Sequence, residues 1–168
     1  LQPAFNFTCA GNTVDLQASG LAGCVDNGVW GFGDGSPTAT GAAVSHTYAG
    51  PGSYTITFTM TSSCSAPVTV QRTVTIAELD LEITNVGCTP NTGAVDAVVT
   101  GSNGPFTYDW EPGGQASQGI TGLGPGEYTV LVQSPDMCPL MGTATVATDG
   151  ASLQATITGT DVSCNGLS

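Results

Sequence analysis

Residues Tyr54 to Met60 read YTITFTM, and this strict alternation constrains the fold more than any other stretch. Tyr54, Ile56, Phe58 and Met60 fall on one side, and Thr55, Thr57 and Thr59 on the other. That is the period of a half-buried antiparallel strand, with one face toward a core and one toward water. The pattern recurs from Tyr128 in YTVLVQ. Each of these Tyr residues follows a Pro-Gly turn, AGPG before Tyr54 and GLGPG before Tyr128. No stretch shows helical periodicity, and 24 glycines and 10 prolines punctuate the short apolar runs. The expectation is an all-β chain of sandwiches.

Upstream of each alternating strand lies an aromatic strand, WGF at Trp30 and FTYDW ending at Trp110. A core Trp on a central strand, with a Tyr opening a later strand after a tight turn, is how an immunoglobulin-like β-sandwich pins its two sheets. Trp30 with Tyr54, Ile56, Phe58 and Val14 is expected in one core. Trp110 with Tyr128, Val130, Val132 and Val98 is expected in another. In GDGS, Gly33 and Gly35 supply positive φ and Asp34 bonds its own backbone, which makes Asp34 a turn-former before it is a ligand.

The order of features is an internal repeat of roughly 75 residues. Cys9 and Cys88 follow the opening strands, and Cys64 and Cys138 each lie ten residues beyond the Tyr. Leu153 and Cys164 begin the pattern again. The expected organisation is one sandwich over 1–77, a second over 80–148, and the start of a third over 151–168. Ala77-Glu78-Leu79-Asp80 is read as a short linker that leaves the sandwiches end to end in an elongated array.

Thirteen acidic residues stand against one basic residue, Arg72, for a net charge of −12. Phosphate binding needs clustered Lys and Arg, so nucleic acid is excluded as a partner, and anionic membrane surfaces are disfavoured. No run of about 20 apolar residues offers a membrane insertion. Six cysteines without a Cys-x-x-Cys pair read as disulfides in an oxidising compartment, not as a zinc site. The chain is expected to be a mature or partial sequence of an exported protein.

Residues 3–77, with WGFGDGS, HTY and PGSYTITFT, resemble a PKD domain, although Gly31 stands where that family has a larger residue. Residues 80–148, with PFTYDW and GLGPGEYTVLV, are similar to an SprB-type repeat. Asp136-Met137-Cys138 shortens that family's closing turn. The resemblance implies a segment of a giant surface adhesin of gliding bacteria, exported through a type IX system. It places the chain outside the cell on the surface, with neighbouring repeats as partners and surface polysaccharide or other cells as contacts. The alternative is an accessory spacer or carbohydrate-binding module of a secreted hydrolase.

Catalysis finds no constellation. His46 is the one histidine, and in HTY it reads as a structural hydrogen-bonding residue. Asp109 and Glu111 flank Trp110 and point to solvent without a cleft. The chain is read as non-enzymatic and without cofactor, calcium excepted. Glu78, Asp80 and Glu82 share one face of an extended segment, and calcium takes six to eight oxygens from such clusters. The alternative for them is a solvated acidic edge that discourages sheet-to-sheet pairing. Asn6-Phe7-Thr8 matches a glycosylation sequon.

Sandwich topology decides between cysteine pairings. Cys9 and Cys64 should lie a strand length apart, about 15–20 Å, against the roughly 4.4–6.8 Å between Cα atoms that a disulfide needs. The favoured pairs are therefore Cys24–Cys64 within the first sandwich and Cys9–Cys138 between the two. The alternative pairs are Cys9–Cys64 and Cys88–Cys138. The same rule leaves Cys88 for a cysteine in a later repeat.

Overall fold

The computed structural model describes residues 3–20, 25–63 and 65–149. Cys24 and Cys64, with the pairing expected of them, lie outside the described residues, as does the third unit over 151–168. Thirteen strands and no helix make up the described residues. The first seven are β1 (Ala4–Ala10), β2 (Thr13–Ser19), β3 (Val25–Gly31), β4 (Ala39–Thr40), β5 (Ala43–Thr47), β6 (Gly52–Ser62) and β7 (Ser65–Ile76). They form one sheet in the order β1-β2-β5 and another in the order β4-β3-β6-β7. The remaining six are β8 (Glu78–Thr84), β9 (Gly93–Thr100), β10 (Thr107–Glu111), β11 (Gly119–Leu123), β12 (Gly126–Gln133) and β13 (Leu140–Val146). Their sheets run β11-β9-β8 and β10-β12-β13.

The two sets repeat one another, because β1, β2 and β5 stand as β8, β9 and β11 do, and β3, β6 and β7 as β10, β12 and β13 do. Alternation decides which side chains meet between the sheets. Trp30, Ile56, Phe58 and Val14 are fully buried in the first core. Trp30 stands 4.3 Å from Phe58 and takes the edge of Phe5 at 5.1 Å between ring centroids. In the second core Trp110, Val130 and Val132 are fully buried among aliphatic neighbours. Both indoles keep a hydrogen-bond acceptor, Gly41 O at 2.8 Å for Trp30 and Ser117 O at 2.9 Å for Trp110. A buried N–H left unpaired would cost about 1–3 kcal/mol, which explains why each Trp strand is followed by a chain segment that curls back over it.

Tyr54 and Tyr128 are only half-buried. Each ring lies on the edge of its core, and each hydroxyl donates to the carbonyl four residues earlier, Gly50 O at 2.9 Å and Gly124 O at 3.1 Å. The Pro-Gly turn and the Tyr are thus one device, a turn clamped by the ring that follows it. On the outer faces, threonine pairs such as Thr59–Thr69 and Thr129–Thr143 meet across strands at 2.9 and 3.0 Å.

Three expectations need correcting. Val98 does not enter the second core; Val95 and Ala97 are buried instead, and Val98 pairs with the exposed Asp80 on the outward face. In AVDAVVT the two adjacent valines fit either phase of a period of two, and the core takes the phase that holds Val95. Cys9 does not follow the opening strand but lies within it, in β1 opposite Val14. The four-residue linker does not exist as a linker: β7 ends at Ile76 and β8 begins at Glu78, so only Ala77 separates them, and it is buried.

Candidate functional site: the junction between the sandwiches

With one buried residue between β7 and β8, the contact between sandwiches is set by the loops around them. The loop from β12 to β13 carries Ser134-Pro135-Asp136-Met137-Cys138. Its backbone runs beside β7. Thr75 N donates to Asp136 O at 2.7 Å, and Cys138 N donates to Thr75 O at 3.0 Å, making a short parallel bridge between Thr75 and Met137. Asp136 takes φ +58°, a left-handed conformation that Asp tolerates better than most residues. That reversal lets neighbouring side chains go separate ways. Met137 fills the second core, and Cys138 fills the first.

Cys138 is bonded to Cys9 of β1, with Cα atoms 5.5 Å apart and a sequence separation of 129. The loop therefore touches both edges of the first sandwich, β7 through hydrogen bonds and β1 through the disulfide. The alternative pairings, Cys9–Cys64 and Cys88–Cys138, are excluded because Cys9 and Cys138 are each already bonded. Cys88 carries a free, exposed thiol. The chain's one basic residue lies at the same place. Arg72 of β7 donates to Phe5 O of β1 at 3.2 Å, sits 5.0 Å from the centre of the Phe7 ring, and faces Asp136 at 3.8 Å. The Arg72–Asp136 pair is solvent-exposed and contributes under about 1 kcal/mol. Its carbonyl and ring contacts fix the guanidinium across the gap between β1 and β7. Beside Ile76 and Ala77 at the junction, Gly101, at φ +85°, abuts Pro51, whose Cβ is 2.5 Å from where a Gly101 Cβ would stand. Only glycine allows that approach.

A second cluster lies within the first sandwich. His46 Nε2 and Asp34 Oδ2 are 2.8 Å apart. The imidazole is stacked on Phe32 at 3.9 Å and meets the edge of Tyr48 at 4.7 Å. Tyr48 stacks on Tyr54 at 4.1 Å and donates to Phe32 O at 2.9 Å. Asp34 Oδ1 accepts from both Ser36 N at 3.1 Å and Ser36 Oγ at 2.5 Å. The Ser36 hydroxyl, and then His46, hold the Asp34 carboxyl down at about 2, against partial burial that works the other way. Burial, with the nearby Asp34 charge, pushes the Tyr48 phenol well above its ordinary value. These contacts tie a turn to a strand. The Ser36 hydroxyl in them bonds the Asp34 carboxylate and not the imidazole.

The acidic triad is spread along its strand and does not converge. Glu78, Asp80 and Glu82 all lie exposed on one face of β8, opposite Thr100, Val98 and Asp96. An extended strand sets residues two apart at about 6.6 Å, so the three carboxylates span about 13 Å and cannot converge on one cation. Asp80 instead accepts from Leu81 N at 2.9 Å. Among the described residues no group of three His, Cys, Asp or Glu side chains could hold a metal ion. Asp109 and Glu111 are exposed on β10, and Asn6 is exposed on β1. The residues that sequence reasoning missed are Arg72 and Gly101. A lone cation in so acidic a chain was the available signal for the first. Nothing local marked the second.

Comparison with known proteins gives these arrangements a context. Residues 5–77 match the PKD domain, and residues 81–115 match the SprB repeat. Both are families of non-catalytic modules typical of extracellular proteins. None of the curated proteins compared matches the chain. The PKD1 domain of Vibrio anguillarum Epp is 28% identical, over 45% of this chain and 94% of that one, with a TM-score of 0.39. The PKD1 domain of the Vibrio cholerae metalloprotease PrtV is 32% identical, over 44% and 93%, with a TM-score of 0.40. A C-terminal 282-residue fragment of intimin, solved with the intimin-binding domain of its translocated receptor, is 18% identical over 88% of this chain and 64% of that one, with a TM-score of 0.51. That last likeness is one of fold. No helix among the described residues is long and apolar enough to cross a membrane.

Proposed function

We propose that this chain, a PKD domain followed by an SprB repeat, is a non-catalytic, load-bearing segment of an exported bacterial cell-surface adhesin. Its direct partners are the neighbouring repeats of the same polypeptide. The whole adhesin meets surface polysaccharide or other cells. The observation that carries this reading is the junction. A β12–β13 loop hydrogen-bonded to β7 and covalently joined to β1 turns two small sandwiches into one mechanical unit.

The force path makes the point concrete. Tension applied to the two ends passes from Cys9 through the disulfide to Cys138. The 129-residue separation between them is thereby shielded from the load. A cross-link closing so long a loop also contributes on the order of 2–5 kcal/mol to stability. Stretching single molecules between end-attached handles tests the reading. In the oxidised chain, unfolding should release only the short segments outside the loop. After reduction a further extension of about 400–460 Å should appear, as expected for that many residues drawn out. Equal extension before and after reduction would remove the load-bearing role.

A further inference from the structure

The second sandwich ends with a thiol at the position from which the first sandwich is stapled. Cys88 lies in the β8–β9 loop, exposed and free. By the repeated sheet order, β8 and β9 stand where β1 and β2 stand in the first sandwich. Cys88 therefore occupies the same end of its sandwich as Cys9 does, the end facing away from the preceding unit.

A separate observation says what comes to that end. Beyond β13 the chain does not leave freely but returns along residue 86. Val86 N donates to Ala147 O at 2.8 Å, Asp149 N donates to Val86 O at 2.7 Å, and Ala147 N donates to Asn85 Oδ1 at 2.9 Å. Val86 is buried and forms a parallel bridge with Thr148. The polypeptide is thus held two residues from Cys88 as it passes out of the second sandwich. In the first sandwich the strand before the exit is met instead by the following unit's loop, which pairs with Thr75 and carries the Cys138 bonded to Cys9.

We propose that Cys88 is a second staple, forming a disulfide with a cysteine in the β12–β13-type loop of a following repeat. The proposal rests on the array reading above. Two thiols give up two protons and two electrons as the S–S bond forms. A disulfide-form thiol oxidoreductase of the export compartment accepts them and is left as its dithiol. The expected partner is a cysteine about ten residues beyond the Tyr that follows a Pro-Gly turn, the spacing of Cys138 from Tyr128.

The test is non-reducing peptide mapping of the full exported protein, with free thiols alkylated before digestion. The expected result is a peptide containing Cys88 joined to one from a later repeat, and its loss in a Cys88→Ser chain that keeps the Cys9–Cys138 pair. Recovery of Cys88 as the alkylated thiol, or joined to Cys164 or a small-molecule thiol, overturns the staple. If later repeats are present in that protein, such a result leaves the array reading standing. If no later repeat is present, the array reading fails together with the staple.

Discussion

In the second sandwich β8 packs directly on β13, with Gly142 set against Leu79 and Leu81. In the first, β1 and β7 meet through the Arg72 guanidinium and through a loop lent by the second. The same sheet order thus closes its open side in two ways. One uses a glycine that lets two strands approach. The other uses a cation, a disulfide and a neighbour's backbone. The lesson is that repeat architecture fixes which strands face each other, while single residues at the seam decide whether a unit is finished alone. The first sandwich compensates with more aromatic packing, from Phe5–Trp30–Phe58 to the stack of Phe32, His46, Tyr48 and Tyr54.

The largest test of the contrast is truncation of the two core indoles. Trp30→Ala and Trp110→Ala should each cost about 3–5 kcal/mol in denaturant unfolding. The loss should be the larger at Trp30, which contacts two aromatic rings, whereas Trp110 packs among aliphatic side chains. Equal losses would show that the aromatic neighbours of Trp30 add nothing beyond buried area.

Next comes the borrowed seam. Cys138→Ser should lower stability by about 2–4 kcal/mol. Hydrogen exchange should quicken in β1 and β7 more than in β12 and β13. An even increase across both sandwiches would mean that the loop supports them equally.

The seam of the second sandwich is probed by Gly142→Val. A branched side chain there must push Leu79 and Leu81 aside, at a cost of about 1–3 kcal/mol. β8 should become the fastest-exchanging strand of its sheet. Undiminished protection of β8 would show that the close approach to β13 is not what closes this side.

The smallest effect is one of pH and belongs to the first sandwich alone. Asp34 has a folded-state pKa of about 2, below its ordinary 3.8. A depressed carboxyl contributes stability that is complete above the unfolded value and is lost as pH falls through the folded one. Stability of the first sandwich should thus drop between about pH 4 and pH 2, by about 1 kcal/mol or less because solvent screens this exposed carboxylate. Asp34→Asn should flatten that part of the profile.

Sequence alone settled whatever depends on neighbours along the chain. Alternation around Tyr54 and Tyr128 set the strand faces, the Pro-Gly turns set the hairpin entries, and the spacing of Trp, Tyr and Cys revealed the duplication. Those signals are local, because side chains alternate along a strand and turn residues act on their own backbone. Where local signals were degenerate, the tertiary structure decided. The phase of Val95 against Val98 depended on which valine the opposite sheet could cover. The carboxylates of Glu78, Asp80 and Glu82 share a face, but a strand holds them too far apart to act together. Whether 77–80 was a linker or a strand depended on β9 being available to pair with it. Arg72 reads in sequence as a stray charge. It becomes a clasp only when Phe5, Phe7 and Asp136, remote in the chain, are folded around it.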